Sequence, residues 1–295
     1  MSRWHEGFRY FRYALPRRGP TCLVCLVLVA GAPGVARAQQ ARAQQLVQQV
    51  VDNQVEVDRA DHSHWMYRDA DKVPGKSTVK LVVQTAQATL SRTIEWNGHP
   101  LTEQQKRQDE ARMESLVNDP AARAKQAKNS AHDDQQSTSL LKMLPNAFLW
   151  TEAGESHGEI TLHFKPNPAF QPPTYASRVF AAMAGDMVVD ARQKRLKSLS
   201  GTLIQSVEFG WGLLGKLEQG GTFRVVRSEI APGEWQITET HVHIQGHALL
   251  FKTISEQEDE VTSNYKPTPT GLTLSQAAQM LRDGTVARDL GVPLE

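Results

Sequence analysis

The chain has 295 residues, 40% hydrophobic and 22% charged, with a formal charge of +1. A charge so near zero, with no basic block after the first forty residues, argues against nucleic acid or an anionic membrane surface as the partner. Two cysteines, Cys22 and Cys25, are all the thiol chemistry the chain possesses.

Arg3, Arg9, Arg12, Arg17 and Arg18 precede an apolar run from Thr21 to Ala36, and Ala36-Arg37-Ala38 closes it with small residues at two positions. Basic, apolar and A-x-A segments in that order predict a cleavable secretory signal over residues 1–38. The run falls short of the about 20 residues a membrane span needs, and Pro33 interrupts it, which disfavours an uncleaved anchor. Cleavage would leave 257 residues with no cysteine, excluding disulfides, cysteine nucleophiles and thiolate metal sites. Loss of six arginines and one glutamate takes Lys+Arg from 33 to 27 and Asp+Glu from 32 to 31, so the charge passes from +1 to about −4. The expectation is an exported protein, periplasmic or secreted, with no transmembrane segment after cleavage. Residues 39–295 form its single domain.

From Gln39 to about Asp61, Leu46, Val47, Val50, Val51 and Val55 recur at helical spacing without Gly or Pro. From Trp65 the pattern changes to strands over 65–71, 76–87 and 88–96, with Pro74-Gly75 and Asn97-Gly98 as turns. A polar helical pair then interrupts the strands over about 102–144. Thr102 and Gln105 have the spacing of a capping box, and Asp119-Pro120 opens the second helix. Such a pair is a lid, a partner surface or a plain solvated hairpin.

Strands dominate afterwards: 147–153 and 158–165 around Gly154, then 185–190, 195–200, 202–209, 222–230, 235–244, 247–256 and 260–266. A short helix over 175–183 stands among them. A last helix carries Leu274, Ala277, Ala278 and Leu281 as its apolar stripe, with Gly284 as its stop. Consecutive strands joined by short turns pair antiparallel. The predicted fold is α+β: one large curved antiparallel sheet, an unclosed β-barrel, covered by helices.

Catalytic patterns are lacking: no G-x-S-x-G elbow, no S-x-x-K, no H-E-x-x-H and no Walker sequence. Nothing argues for an enzyme, and no cofactor is implied. His241-x-His243 and His62-x-His64 could offer paired zinc ligands. Ala231-Pro232-Gly233-Glu234, however, suits a tight turn, and a hairpin closed there sets Arg224 opposite His241, Phe223 opposite Val242 and Val225 opposite Thr240. A guanidinium beside a dication is unfavourable, so no metal is expected. Asp133-Asp134 and the Glu256–Glu260 pair lack the apolar enclosure that would shift a carboxyl pKa.

Glu208 to Lys216 reads EFGWGLLGK, a literal G-x-G-x-x-G. The dinucleotide motif needs a helix to start within it, and Gly220-Gly221 leaves no room for one. The glycines are better read as relief for a strand that bends sharply. Phe148, Trp150, Phe209, Trp211, Leu213, Leu214, Leu217 and Trp235 are candidate ligand-binding residues if the curved sheet encloses an apolar cavity; otherwise they pack the core.

An N-terminal helix, a strand meander, and the segment AGDMVVDARQKRLKSLSGTL (Ala184 to Leu203) resemble the periplasmic lipoprotein-carrier superfamily, the Lol-type and sigma-factor-regulator-type proteins. That resemblance implies a half-barrel that holds an acyl chain, lipid or lipoprotein anchor without covalent chemistry. Residues 101–145 have no counterpart in it. The alternative is an envelope protein–protein interaction or regulatory module with no small ligand, in which the polar helices meet the partner.

Overall fold

The structure, a computed structural model, describes residues 33–209, 215–248 and 252–293. In chain order it contains α1 (Pro33–Ala60), β1 (Trp65–Val73), β2 (Lys76–Gln84), β3 (Thr89–Trp96), β4 (His99–Pro100), α2 (Glu103–Asn118) and α3 (Pro120–Ala147). There follow β5 (Phe148–Ser156), β6 (Glu159–Pro166), α4 (Tyr175–Phe180), β7 (Met183–Asp190), β8 (Leu196–Leu203), β9 (Val207–Phe209) and β10 (Gly215–Leu217). The chain continues with β11 (Thr222–Ala231), β12 (Glu234–Ala248), β13 (Lys252–Pro267), α5 (Leu274–Arg282) and α6 (Thr285–Leu290). All 13 strands join one antiparallel sheet, ordered β4-β3-β2-β1-β13-β12-β11-β8-β7-β6-β5, with β10 pairing β12 and β9. The two ends of that order do not meet, so the sheet is open.

Sequence-local rules account for most element ends. Thr102 and Gln105 form the expected reciprocal capping box on α2, Asp119 caps α3 with Pro120 at its first position, and Thr273 with Gln276 caps α5. Proline does not stop α3. Pro145 lies inside the last turn and the helix runs to Ala147, because Leu144, Pro145 and Ala147 are buried and that packing outweighs the lost N–H. Gly284 adopts φ 75° between α5 and α6, the left-handed conformation a stop requires. Phe223 faces Val242, Arg224 faces His241 and Val225 faces Thr240, as expected from the Pro232-Gly233 turn, although the ladder shifts by one residue over Arg227–Glu229 and shifts back before these pairs.

The helices are divided between the two faces of the sheet. On one face, Ala43, Val47, Val50 and Val51 of α1 join Leu144 and Ala147 of α3 over Trp150, Leu162, Phe164, Met187 and Leu203. On the opposite face, at the far end of the sheet, Leu274, Ala277, Ala278 and Leu281 of α5 and Val286 and Leu290 of α6 pack on Met66, Leu81, Val83 and Leu90. Each large apolar side chain fully buried in these layers contributes about 1.5–3 kcal/mol. Period-2 alternation makes both arrangements available, since successive residues point to opposite faces.

The polar helical pair has a clear structural task. Its side chains occupy the outer backbone edge of β3, which β4 leaves largely uncovered. The Thr89 amide donates to Gln126 Oε1 at 3.0 Å, while Gln126 Nε2 donates to the Thr89 carbonyl at 2.9 Å. Arg112 Nη2 donates to the Ser91 carbonyl at 2.7 Å, and the Thr93 amide donates to Asp109 Oδ2 at 3.0 Å. Gln126 thus pairs with the strand as another strand would. An exposed edge of this length is an aggregation hazard, and covering it is one of the ways proteins manage it. Among the described residues no helix is long and apolar enough to cross a membrane.

Candidate functional site

Register alone fixes which residues share the α1 face. One row runs Thr78–Asp71–Glu260–Thr240–Val225–Leu199–Met187–Leu162 through seven consecutive pairings. The next row runs Glu258–Val242–Phe223–Gly201. The end of these rows near β8 enters the buried core under α1; the end near β2 is polar. Between them lie Phe223, Val225, Val242 and Ile244, all half-buried, with Phe223 and Ile244 touching the core. The helices on this face pack over β5 and β8, and among the described residues none packs extensively over β11 or β12.

Glycine makes room for this apolar strip. A Cβ on Gly201 would stand 2.7 Å from Cε1 of Phe223 and 3.1 Å from Cζ of Phe164. Any larger residue there would push the Phe223 ring off its seat.

At the polar end a cleft of about 540 Å3 opens between β1–β3 and α2, walled by Tyr67, Asp69, Thr78, Lys80, Trp96 and Gln105 among others. Lys80 Nζ lies 3.2 Å from Asp69 Oδ2. Asp69 is 8% exposed and Thr78 3%, yet Asp69 Oδ1 and Thr78 Oγ1 find no hydrogen-bond partner among the described residues, nor does Asp71 Oδ1. Most buried polar atoms in folded proteins are paired, so three orphans in adjoining positions mark the place. Burial raises the Glu260 pKa, and repulsion from Asp69, Glu258 and Asp71 adds to it, with Lys80 opposing. Burial likewise pushes up the Tyr67 phenol, whose ring stacks on Tyr265 at 5.0 Å between centroids. Lys76 Nζ stands 4.8 Å from the Trp96 ring centroid, so one wall already accepts an ammonium group.

The opposite face carries a second polar row, His163–Asp186–Ser200–Arg224–His241–Asp259, across six strands. His163 pairs with Asp186. Asp259 Oδ1 takes hydrogen bonds from His241 Nδ1 at 2.7 Å and His243 Nε2 at 3.0 Å, and these hold its carboxyl below the usual range, His241 first. Arg224 Nε reaches Glu239 at 3.9 Å. The two histidines share the carboxylate of Asp259 on β13, and His241 faces Arg224 as the hairpin register requires. Among the described residues no group of three or more His, Cys, Asp or Glu converges as a metal site.

The residues singled out as ligand contacts from the sequence fall into three sets. Phe148 and Trp150 are 1% and 0% exposed in the α1 core. There Phe148 meets Trp150 edge-on at 5.9 Å and Phe180 at 5.1 Å, and Trp150 Nε1 donates to the Leu144 carbonyl at 3.0 Å. Trp235 is also buried, but at the β11–β12 turn, where its Nε1 donates to Gln193 Oε1 at 3.1 Å and Arg195 stands over its ring. Leu217 lies half-buried against the α1 core, on β10. Phe209 ends β9, and Trp211, Leu213 and Leu214 lie outside the described residues. Phe209 pairs with Gly215 antiparallel, so the chain reverses direction within EFGWGLLGK. That reversal has no place in a βαβ unit and removes the dinucleotide reading. Asp69, Asp71, Thr78 and Glu260 were missed because each reads in sequence as a solvent-side strand residue. Only the pairing of β1 with β13, which sets Asp71 opposite Glu260, 189 positions further along the chain, brings the acids together.

Taken together, fold and site define an open antiparallel α+β half-barrel with an uncovered, part-apolar and part-acidic face. Comparison with known proteins finds no matching family model and no matching curated protein.

Proposed function

We propose that this chain is an exported binding protein that shelters an amphiphile on the uncovered part of the α1 face. The supporting observation is the strip formed by Phe223, Val225, Val242 and Ile244. These apolar side chains are half-buried on the face that helices cover elsewhere, and they run continuously into the packed core. An acyl chain laid along that strip would gain about 0.8 kcal/mol for each methylene it buries. The cleft at the β1–β3 end of the same face, separated from the strip by β13, has the polar walls a head group requires. Binding of this kind involves no covalent step and is the behaviour implied by the likeness to lipoprotein carriers. The polar helices α2 and α3 need no partner in this reading, because their inward side chains already cap the edge of β3.

The test is uptake of a fluorescent twelve-carbon amphiphile by the purified exported protein, together with mass spectrometry of its organic-solvent extract. Wild type is expected to bind the probe and to carry co-purifying lipid. Val242→Glu should weaken uptake by about tenfold or more through the charge set in the strip, with an unchanged circular dichroism spectrum. No uptake and no extractable lipid would overturn the proposal and leave a protein–protein module as the alternative.

A further inference from the structure

We infer that the cleft between β1–β3 and α2 receives a neutral polyhydroxylated ring, a glycosyl group, and that Asp69 and Thr78 are the side chains that hold it. The inference names the head group for the cleft, and it stands whether or not a tail occupies the apolar strip.

Charge excludes the other ligand classes. Asp69 and Asp109 line the cleft together with Lys76, Lys80 and Arg112. Lys80 Nζ lies 3.2 Å from Asp69 Oδ2, and Arg112 Nη2 lies 2.7 Å from Asp109 Oδ1. The remaining cation, Lys76, stands over the Trp96 ring. A cationic ligand meets three like charges here and an anionic one meets two, and either competes with a pair already made. A neutral ligand breaks none of these pairs.

Two buried oxygens supply the hydrogen bonds. Asp69 and Thr78 both line the cleft and are more than nine-tenths buried, and Asp69 Oδ1 and Thr78 Oγ1 have no hydrogen-bond partner among the described residues. Buried polar atoms are nearly always paired, so a ligand group is their natural complement. In the β1–β2 ladder Lys80 stands opposite Asp69 and Thr78 opposite Asp71. Asp69 and Thr78 are therefore diagonal neighbours on one face, about 7 Å apart. Rotation about Cβ–Cγ of Asp69 or Cα–Cβ of Thr78 turns the oxygen toward the cleft that its residue lines. The carboxylate oxygen accepts, whereas the threonine hydroxyl both donates and accepts. Hydroxyl groups answer both, and a ring that carries several of them spans the diagonal.

The rest of the lining suits the same ligand. Gln108 reaches the cleft from α2, and its amide makes no hydrogen bond among the described residues; it offers two donors and an acceptor. Tyr67, Val82, Trp96 and Leu101 add apolar surface for the C–H face of a ring. Burial keeps the Tyr67 phenol un-ionised, so that wall adds no charge. The cleft volume of about 540 Å3 lies within the range of about 300–1,000 Å3 common to small-molecule sites.

Saturation-transfer NMR of the purified exported protein with the methyl glycosides of glucose, galactose, mannose and N-acetylglucosamine tests the assignment. At least one of them should receive saturation from the protein, and calorimetry then gives its affinity. Thr78→Val keeps the branched shape of the side chain and removes the orphaned hydroxyl. It should weaken that glycoside about three- to tenfold, the worth of one hydrogen bond. Its Tm should be unchanged or raised, because an unsatisfied buried group is lost with the hydroxyl. Asp69→Asn should weaken binding by a similar factor. Saturation of none of the glycosides, or an affinity that neither variant changes, would overturn the assignment. The octyl glycoside of the same sugar separates the two sources of such a ring. Tighter binding of the octyl form identifies a glycolipid head with its tail on the strip, and equal affinity identifies a free saccharide; both support the cleft. Uptake of the fluorescent amphiphile with no glycoside binding would overturn this inference and leave the amphiphile reading standing.

Discussion

Replacing Glu260 by glutamine should stabilise the protein at neutral pH, and the size of the gain should depend on pH in a defined sense. Glu260 is partly buried, lies opposite Asp71, and is repelled by Asp69 and Glu258 as well, with Lys80 as the opposing charge. Its folded pKa is raised. A carboxyl of this kind favours the folded state while protonated, so its contribution is fully present below the unfolded value of about 4.3 and is lost as pH rises through the folded pKa. One like-charge pair at about 6 Å with an effective dielectric near 40, a value that allows for the solvent still reaching the group, is worth about 1.4 kcal/mol. Partial offset by Lys80 brings the expected gain for Glu260→Gln to about 1 kcal/mol at pH 8, or about 2–4 °C in Tm for a domain of this size. At pH 4 the wild-type carboxyl is itself protonated and the gain should vanish. Urea unfolding of both proteins at the two pH values measures it. A loss of stability at pH 8, or an equal effect at both pH values, would show that the carboxylates are compensated within the fold.

Two further outcomes follow from the packing. Asp109→Ala with Gln126→Ala strips four hydrogen bonds from the β3 edge; about 1–3 kcal/mol of stability should be lost, and light scattering should show association of the exposed edge. Amide exchange that leaves Thr89 and Thr93 as protected as before would contradict this. Asp259→Asn should lower stability at pH 7 by about 0.5 kcal/mol, a figure discounted for the exposure of its histidine partners. The depressed carboxyl pKa places that contribution above the unfolded value of about 3.9 and removes it as pH falls through the folded one. Equal stability of variant and wild type at pH 7 would mean that the His241 and His243 contacts are energetically idle.

Much of the fold was legible because it obeys local rules. The capping boxes at Thr102 and Thr273, the Pro120 start and the Gly284 stop are statements about unsatisfied backbone groups within one turn of helix. The pairing of Phe223 with Val242 matches the register set by the turn at Pro232-Gly233, because two register shifts, between Glu229 and Ala231 and between Val226 and Arg227, cancel. The same turn argument sets His241 opposite Arg224, as observed.

The candidate site was not legible, for a physical reason. Asp69 and Asp71 stand in WMYRDADKV, and Glu260 in SEQEDEV, and both stretches have the alternation of strands with one wet face. Whether a polar strand residue meets solvent or another carboxylate depends on the strand beside it, and β1 and β13 are the two ends of the strand meander. Trp150 shows the converse: its aromatic character suggested a ligand wall, whereas the closing of α1 and α3 over β5 buried it.

The sequence by itself determined the helices, most caps and the antiparallel pairing of neighbours, because each depends on contacts within a few residues or across one turn; it misplaced strand ends, dividing β12 and β13 into strands over 235–244, 247–256 and 260–266. The tertiary structure decided which face each helix covers, that the polar insert caps a sheet edge, and that four acids share one wall beside an apolar strip. Those depend on long-range pairings, whose partners no local pattern specifies.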